Sequence, residues 1–74
     1  MAKYCLFKDA DGITISNGDL PCYLIENGKV YRCVYGDGTL NPKEIGVYKN
    51  DTVYFTKRNG KVANIFTSLG FKVN

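Results

Sequence analysis

At 74 residues the chain holds one domain, a length that excludes most enzyme architectures. Hydrophobic residues make up 45% and charged residues 23%, with eight Gly against two Pro, which is globular composition and excludes a disordered tail or a fibrous repeat. The net charge of +3 falls short of a dedicated nucleic-acid binder, and it is unevenly spread: residues 1–37 carry −1 and residues 38–74 carry +4.

In chain order, short runs rich in Tyr, Val, Ile, Phe and Thr predict strands at 3–8, 13–16, 22–26, 29–35, 45–49, 52–58 and 61–66. Asp9-Ala10-Asp11-Gly12 closes the first hairpin. Asn-Gly dipeptides at 17–18, 27–28 and 59–60 supply the positive φ of two-residue turns, Gly36-Asp37-Gly38 makes a loop, and Asn50-Asp51 closes a later turn. Asn41-Pro42-Lys43-Glu44 has the order of a helix start, with a capping Asn, a Pro at the first helical position and a Glu to close the box, which gives one helical turn near 42–45. Val62, Ile65, Phe66 and Leu69 fall at helical spacing and Gly70 suits a helix end, so a helix over 61–69 competes with the last strand. The strand is preferred, because an Asn-Gly turn precedes it and Asn64, Thr67 and Ser68 are indifferent helix formers. The fold class is therefore mainly β: a single antiparallel domain spanning 1–74, a compact barrel or roll of five to seven short strands.

A two-residue turn at Asn27-Gly28 sets Glu26 against Lys29, Ile25 against Val30, Leu24 against Tyr31, Tyr23 against Arg32 and Cys22 against Cys33. Both faces of this hairpin then carry apolar residues: Ile25, Val30 and Val34 on one, Leu24, Tyr31, Cys33 and Tyr35 on the other. Something must cover each face: closure of the sheet, the tail packing across, or another subunit. A turn at Asn59-Gly60 would group Val53, Phe55, Val62 and Phe66 on one face and leave a basic hairpin tip at Lys57, Arg58 and Lys61. Cys5, Cys22 and Cys33 form no even disulfide set, so Cys22 and Cys33 read as two buried thiols, with an oxidised clip as the alternative.

Catalysis is argued against by absence. The chain has no His, no phosphate-binding Gly loop and no nucleophile elbow, and Asp9, Asp11, Asp19 and Asp37 all sit in turns or beside Gly, where backbone hydrogen bonding explains them. No calcium-loop spacing survives alignment on Gly12, and no metal or cofactor is expected. No apolar run is long enough for a membrane span and no signal-like segment follows Met1, so a cytoplasmic location is expected.

Binding is the positive expectation. The leading reading is protein–protein interaction or self-association through an apolar, Tyr-rich β surface, since Tyr suits interfaces and a chain this short gains from a partner. The alternative is single-stranded nucleic-acid binding by Tyr stacking beside a basic hairpin tip. The candidate residues shared by the two are Lys29, Tyr31, Arg32, Tyr54, Lys57, Arg58 and Lys61. Tyr31 and Tyr54 read equally well as half-buried sheet residues with wet hydroxyls, and the Lys and Arg as edge charges that maintain solubility. In size and composition the chain is similar to small compact β-proteins of phages and other mobile elements, a likeness that assigns no residue a role.

Overall fold

The computed structural model describes residues 3–74. Seven strands, β1 (Tyr4–Lys8), β2 (Ile13–Asn17), β3 (Leu20–Glu26), β4 (Lys29–Gly36), β5 (Thr39–Lys49), β6 (Thr52–Phe55) and β7 (Lys72–Val73), form one sheet in sequential order, with helix α1 (Gly60–Ser68) between β6 and β7. Neighbouring strands are antiparallel except β6 and β7, and the sheet curls into a half-barrel. Two-residue turns account for most of this meander. Asn27-Gly28, Asp37-Gly38 and Asn50-Asp51 all have positive φ at both central positions, the twist that joins adjacent antiparallel strands without splaying them. At the first hairpin the Asp9 carboxylate accepts from the Asp11 and Gly12 amides at 2.9 and 3.0 Å.

The β3–β4 register matches the one set by Asn27-Gly28, from Glu26↔Lys29 to Tyr23↔Arg32. The ladder stops one pair short of Cys22 and Cys33. All three cysteines are free: Cys5 is exposed, Cys22 half-buried and Cys33 buried.

The β2–β3 turn is centred on Gly18-Asp19 and not on Asn17-Gly18: Asn17 is the last residue of β2, opposite Leu20, and only Gly18 of the expected pair has positive φ. Two larger expectations are also corrected. Asn41-Pro42-Lys43-Glu44 starts no helix and belongs to the 11-residue strand β5, where Asn41 faces Val34 and Pro42 faces Cys33. Pairing along the length of β4 outweighs a local cap, and Pro42 is tolerated because β6 reaches only Gly46–Lys49, leaving that stretch of β5 an edge. The tail is the second correction: 61–66 is helical, so Asn59-Gly60 is no hairpin turn. Asn59 has φ −133°, and its side chain accepts from the Lys61 and Val62 amides at 3.0 and 3.3 Å as an N-cap. At the other end Gly70 takes φ +97°, with Gly70 N–H donating to the Thr67 carbonyl and Phe71 N–H to the Phe66 carbonyl, the paired bonds of a Schellman ending. The seventh strand is Lys72–Val73, laid parallel to β6 by this reversal.

Alternation along the strands divides the sheet into a face covered by α1 and an open face. On the covered face Ile15, Tyr23, Ile25, Val30 and Val53 pack with Val62 and Phe66 of the helix. Phe66 is fully buried and meets the rings of Tyr23 and Phe55 edge-on, each at 5.2 Å. The grouping of Val53, Phe55, Val62 and Phe66 anticipated for a hairpin is thus achieved across a strand and a helix. The tail covers one face of the β3–β4 hairpin; on the other, Cys33 is buried where Tyr35 reaches back to Pro21, Leu24 and Tyr31 are half-buried, and among the described residues no other element packs across.

Candidate functional site

The seven candidate residues do not form one surface. Lys29, Tyr31 and Tyr54 point to the open face, as the register shows: Tyr31 lies opposite Leu24, and Tyr54 opposite Val47, itself opposite Lys29. Tyr31 is half-buried and Tyr54 exposed. Lys29 Nζ lies 3.3 Å from Glu44 Oε1 across the same face, an exposed ion pair worth about 0–1 kcal/mol. Arg32, one residue on from Tyr31, points to the covered side, where it borders a cleft with Lys57. Arg58 lines a different hollow with Thr67 and Asn74. Lys61 is exposed in the first turn of α1. The basic tip at 57–61 is therefore the loop into a helix and its first turn. The Tyr rings and the Arg32/Lys57 cations stand on opposite sides of the sheet.

Five of the seven exposed large apolar side chains among the described residues lie on the open face. Phe7, Tyr35, Val47, Leu40 and Tyr54 are 56, 46, 41, 40 and 36% exposed. Phe7 faces Thr14, which faces Leu24, which faces Tyr31, so one row crosses four strands; Lys29, Val47 and Tyr54 form a second row beside it. Beyond the reach of β3 and β6, residues 33–42 of β4 and β5 continue as a two-stranded ribbon bearing Tyr35 opposite Leu40. Tyr35 leans back from this ribbon, its hydroxyl donating to the Pro21 carbonyl at 2.6 Å. Burial, then the neighbouring Cys22, raises the pKa of the Cys33 thiol, which favours its neutral form.

The cleft on the covered side was not anticipated as a unit. It is a half-open cavity of about 320 Å³ between β5, β6 and the start of α1, lined by Ile45, Phe55 and Val62 and bordered by Arg32, Lys43 and Lys57. Ile45 reaches it through a bulge: Val30 pairs with Gly46 and Tyr31 with Glu44, leaving Ile45 as the extra residue. Of these, sequence reasoning singled out Arg32 and Lys57 for binding but not Lys43. The signal lay in Asp37-Gly38, which read as a two-residue turn puts Arg32 opposite Lys43; the helix-like order at 41–44 concealed it.

No cluster of three or more metal-ligating side chains exists among the described residues, and none of their helices is long and apolar enough to cross a membrane. Comparisons with protein families, with curated proteins and with solved structures find no match.

Proposed function

We propose that this chain is a non-enzymatic protein-interaction module whose open sheet face seats a second copy of itself. The observation that carries the reading is the open face, where Phe7, Val47 and Tyr54 are exposed in two adjacent rows with the half-buried Leu24 and Tyr31 between them, extended by Tyr35 and Leu40 on the ribbon. Contiguous apolar surface on a monomer marks a contact site more often than it is left in water, since each buried Å² contributes about 25 cal/mol. A second copy suits this face because its charges are balanced: Lys29 is paired with Glu44, so two such faces meet without like-charge repulsion. The aromatic residues, Tyr above all, keep a hydroxyl for the wet rim while the ring is buried.

Sedimentation over a wide concentration range tests this. The mass should rise from monomer to dimer with concentration, and Phe7→Lys and Tyr54→Lys should each shift the equilibrium towards monomer while the circular dichroism spectrum stays unchanged. A monomer at every concentration, or association indifferent to both substitutions, overturns the reading.

A further inference from the structure

The cleft between β5, β6 and α1 lies on the other side of the sheet from the proposed interface and has a different chemistry. Its floor is apolar: Phe55 is held edge-on against Phe66, Val62 is buried in the first turns of α1, and Ile45 is the extra residue of the bulge in β5. Its rim is cationic. Arg32 and Lys43 are directly opposed across β4 and β5, a like-charge pair that weakens a sheet when nothing lies between. Lys57 adds a third positive charge from the loop after β6. Among the described residues none of these three has a carboxylate partner, and the one acid on the rim, Glu44, is engaged by Lys29. The first amides of α1 play no part, since the Asn59 side chain and carbonyl already accept from Lys61, Val62 and Ala63.

We propose that this cleft binds a small aromatic phosphate monoester, its ring on Ile45, Phe55 and Val62 and its phosphate among Arg32, Lys43 and Lys57. A cavity of about 320 Å³ takes one or two fused rings and a head group, at the small end of ligand sites. A phosphate dianion suits the rim better than a monoanion, because three cations surround it and the Arg32 guanidinium offers a fork of donors to its oxygens. Such a ligand would also offset the like charge of Arg32 and Lys43, neither of which has a carboxylate partner among the described residues.

The probe is 1-naphthyl phosphate, titrated into the labelled protein while backbone amides are followed by NMR, with inorganic phosphate and 1-naphthol in parallel. The expected result is saturable binding that moves the amides of Ile45, Phe55, Lys57 and Val62, at least about ten-fold tighter than either half-probe and weakening as salt rises. Lys43→Glu and Lys57→Glu, both at exposed positions, should each weaken the ester about ten-fold or more and leave 1-naphthol binding unchanged. Equal affinity for 1-naphthol and the ester, shifts confined to Phe7 and Tyr54, or an ester affinity untouched by both substitutions would overturn the proposal. None of these outcomes depends on whether the open face dimerises.

Discussion

Phe66, on a helix, meets Phe55, on a strand, edge-on at 5.2 Å, and this contact fastens the tail to the sheet. Phe66 also contacts Tyr23 at 5.2 Å and Phe71 at 5.5 Å, so one side chain joins β3, β6, α1 and the segment leading into β7. Truncating a buried Phe to Ala costs about 3–5 kcal/mol, as much as a core of this size supplies. Phe66→Ala should therefore leave the chain largely unfolded at room temperature, whereas Phe66→Leu should fold with a loss of about 1–2 kcal/mol. Urea denaturation followed by circular dichroism distinguishes these outcomes, and a Phe66→Ala protein as stable as the parent would contradict this account of the core.

The start of α1 offers a test of helix against hairpin at one position. Gly60 is helical, and a methyl group added there would meet nothing within 4 Å, so Gly60→Ala should stabilise the protein by about 0.5–1 kcal/mol. Were Asn59-Gly60 a two-residue hairpin turn, the same change would place Ala at positive φ and destabilise. Asn59→Ala should cost about 1 kcal/mol, since two amides lose their acceptor. Thermal melts of both variants give the signs directly.

The contrast between Asn27-Gly28 and Asn59-Gly60 shows how far the fold was legible in the sequence. The same dipeptide twice suggests the same turn, and at 27–28 the inference holds, with register and face assignments following from it residue by residue. At 59–60 the deciding information lies downstream: Val62, Ile65, Phe66 and Leu69 at helical spacing, then Gly70 placed to reverse the chain. Local turn preference is worth less than burying Val62 and Phe66 together. The open face was legible because alternation around one turn suffices to find it. The cleft was not, because it needs the bulge at Ile45, the pairing of Arg32 with Lys43 and the approach of a helix, three events distant in sequence.

The bulge itself depends on Gly46. A Cβ at this position would strike the Tyr54 carbonyl oxygen and crowd the Phe55 backbone, because β6 passes closely beneath it. The partner here is backbone in a paired strand, which has little room to yield, so Gly46→Ala should destabilise by about 1–3 kcal/mol. It should also disturb Ile45, Phe55 and Thr56, the last of which donates its amide to the Ile45 carbonyl at 2.9 Å. Chemical denaturation measures the loss, and amide shifts at these three residues measure the local displacement. A neutral Gly46→Ala would mean that β5 and β6 separate more easily than their contact implies.

Alkaline pH should destabilise the fold through groups that are neutral when buried. Burial raises the pKa of Tyr23 above its ordinary value of 10.0, with Arg32 opposing, and burial followed by Cys22 raises that of Cys33 above 9.0. Burial and Asp51 raise that of Tyr48. In each case the folded protein holds its proton to higher pH than the unfolded chain, so the stabilising contribution is complete below the unfolded value and is lost as pH climbs through the folded one. The urea midpoint should accordingly stay level on this account up to about pH 8 and decline above about pH 9, where the thiol of the unfolded chain ionises first. Cys33→Ala should delay the onset of the decline, leaving the steeper phenolic part above about pH 10, and Tyr23→Phe should reduce that second part. A midpoint that rises between pH 8 and 10, or one whose profile Cys33→Ala leaves unaltered, would place Cys33 in contact with water in the folded protein.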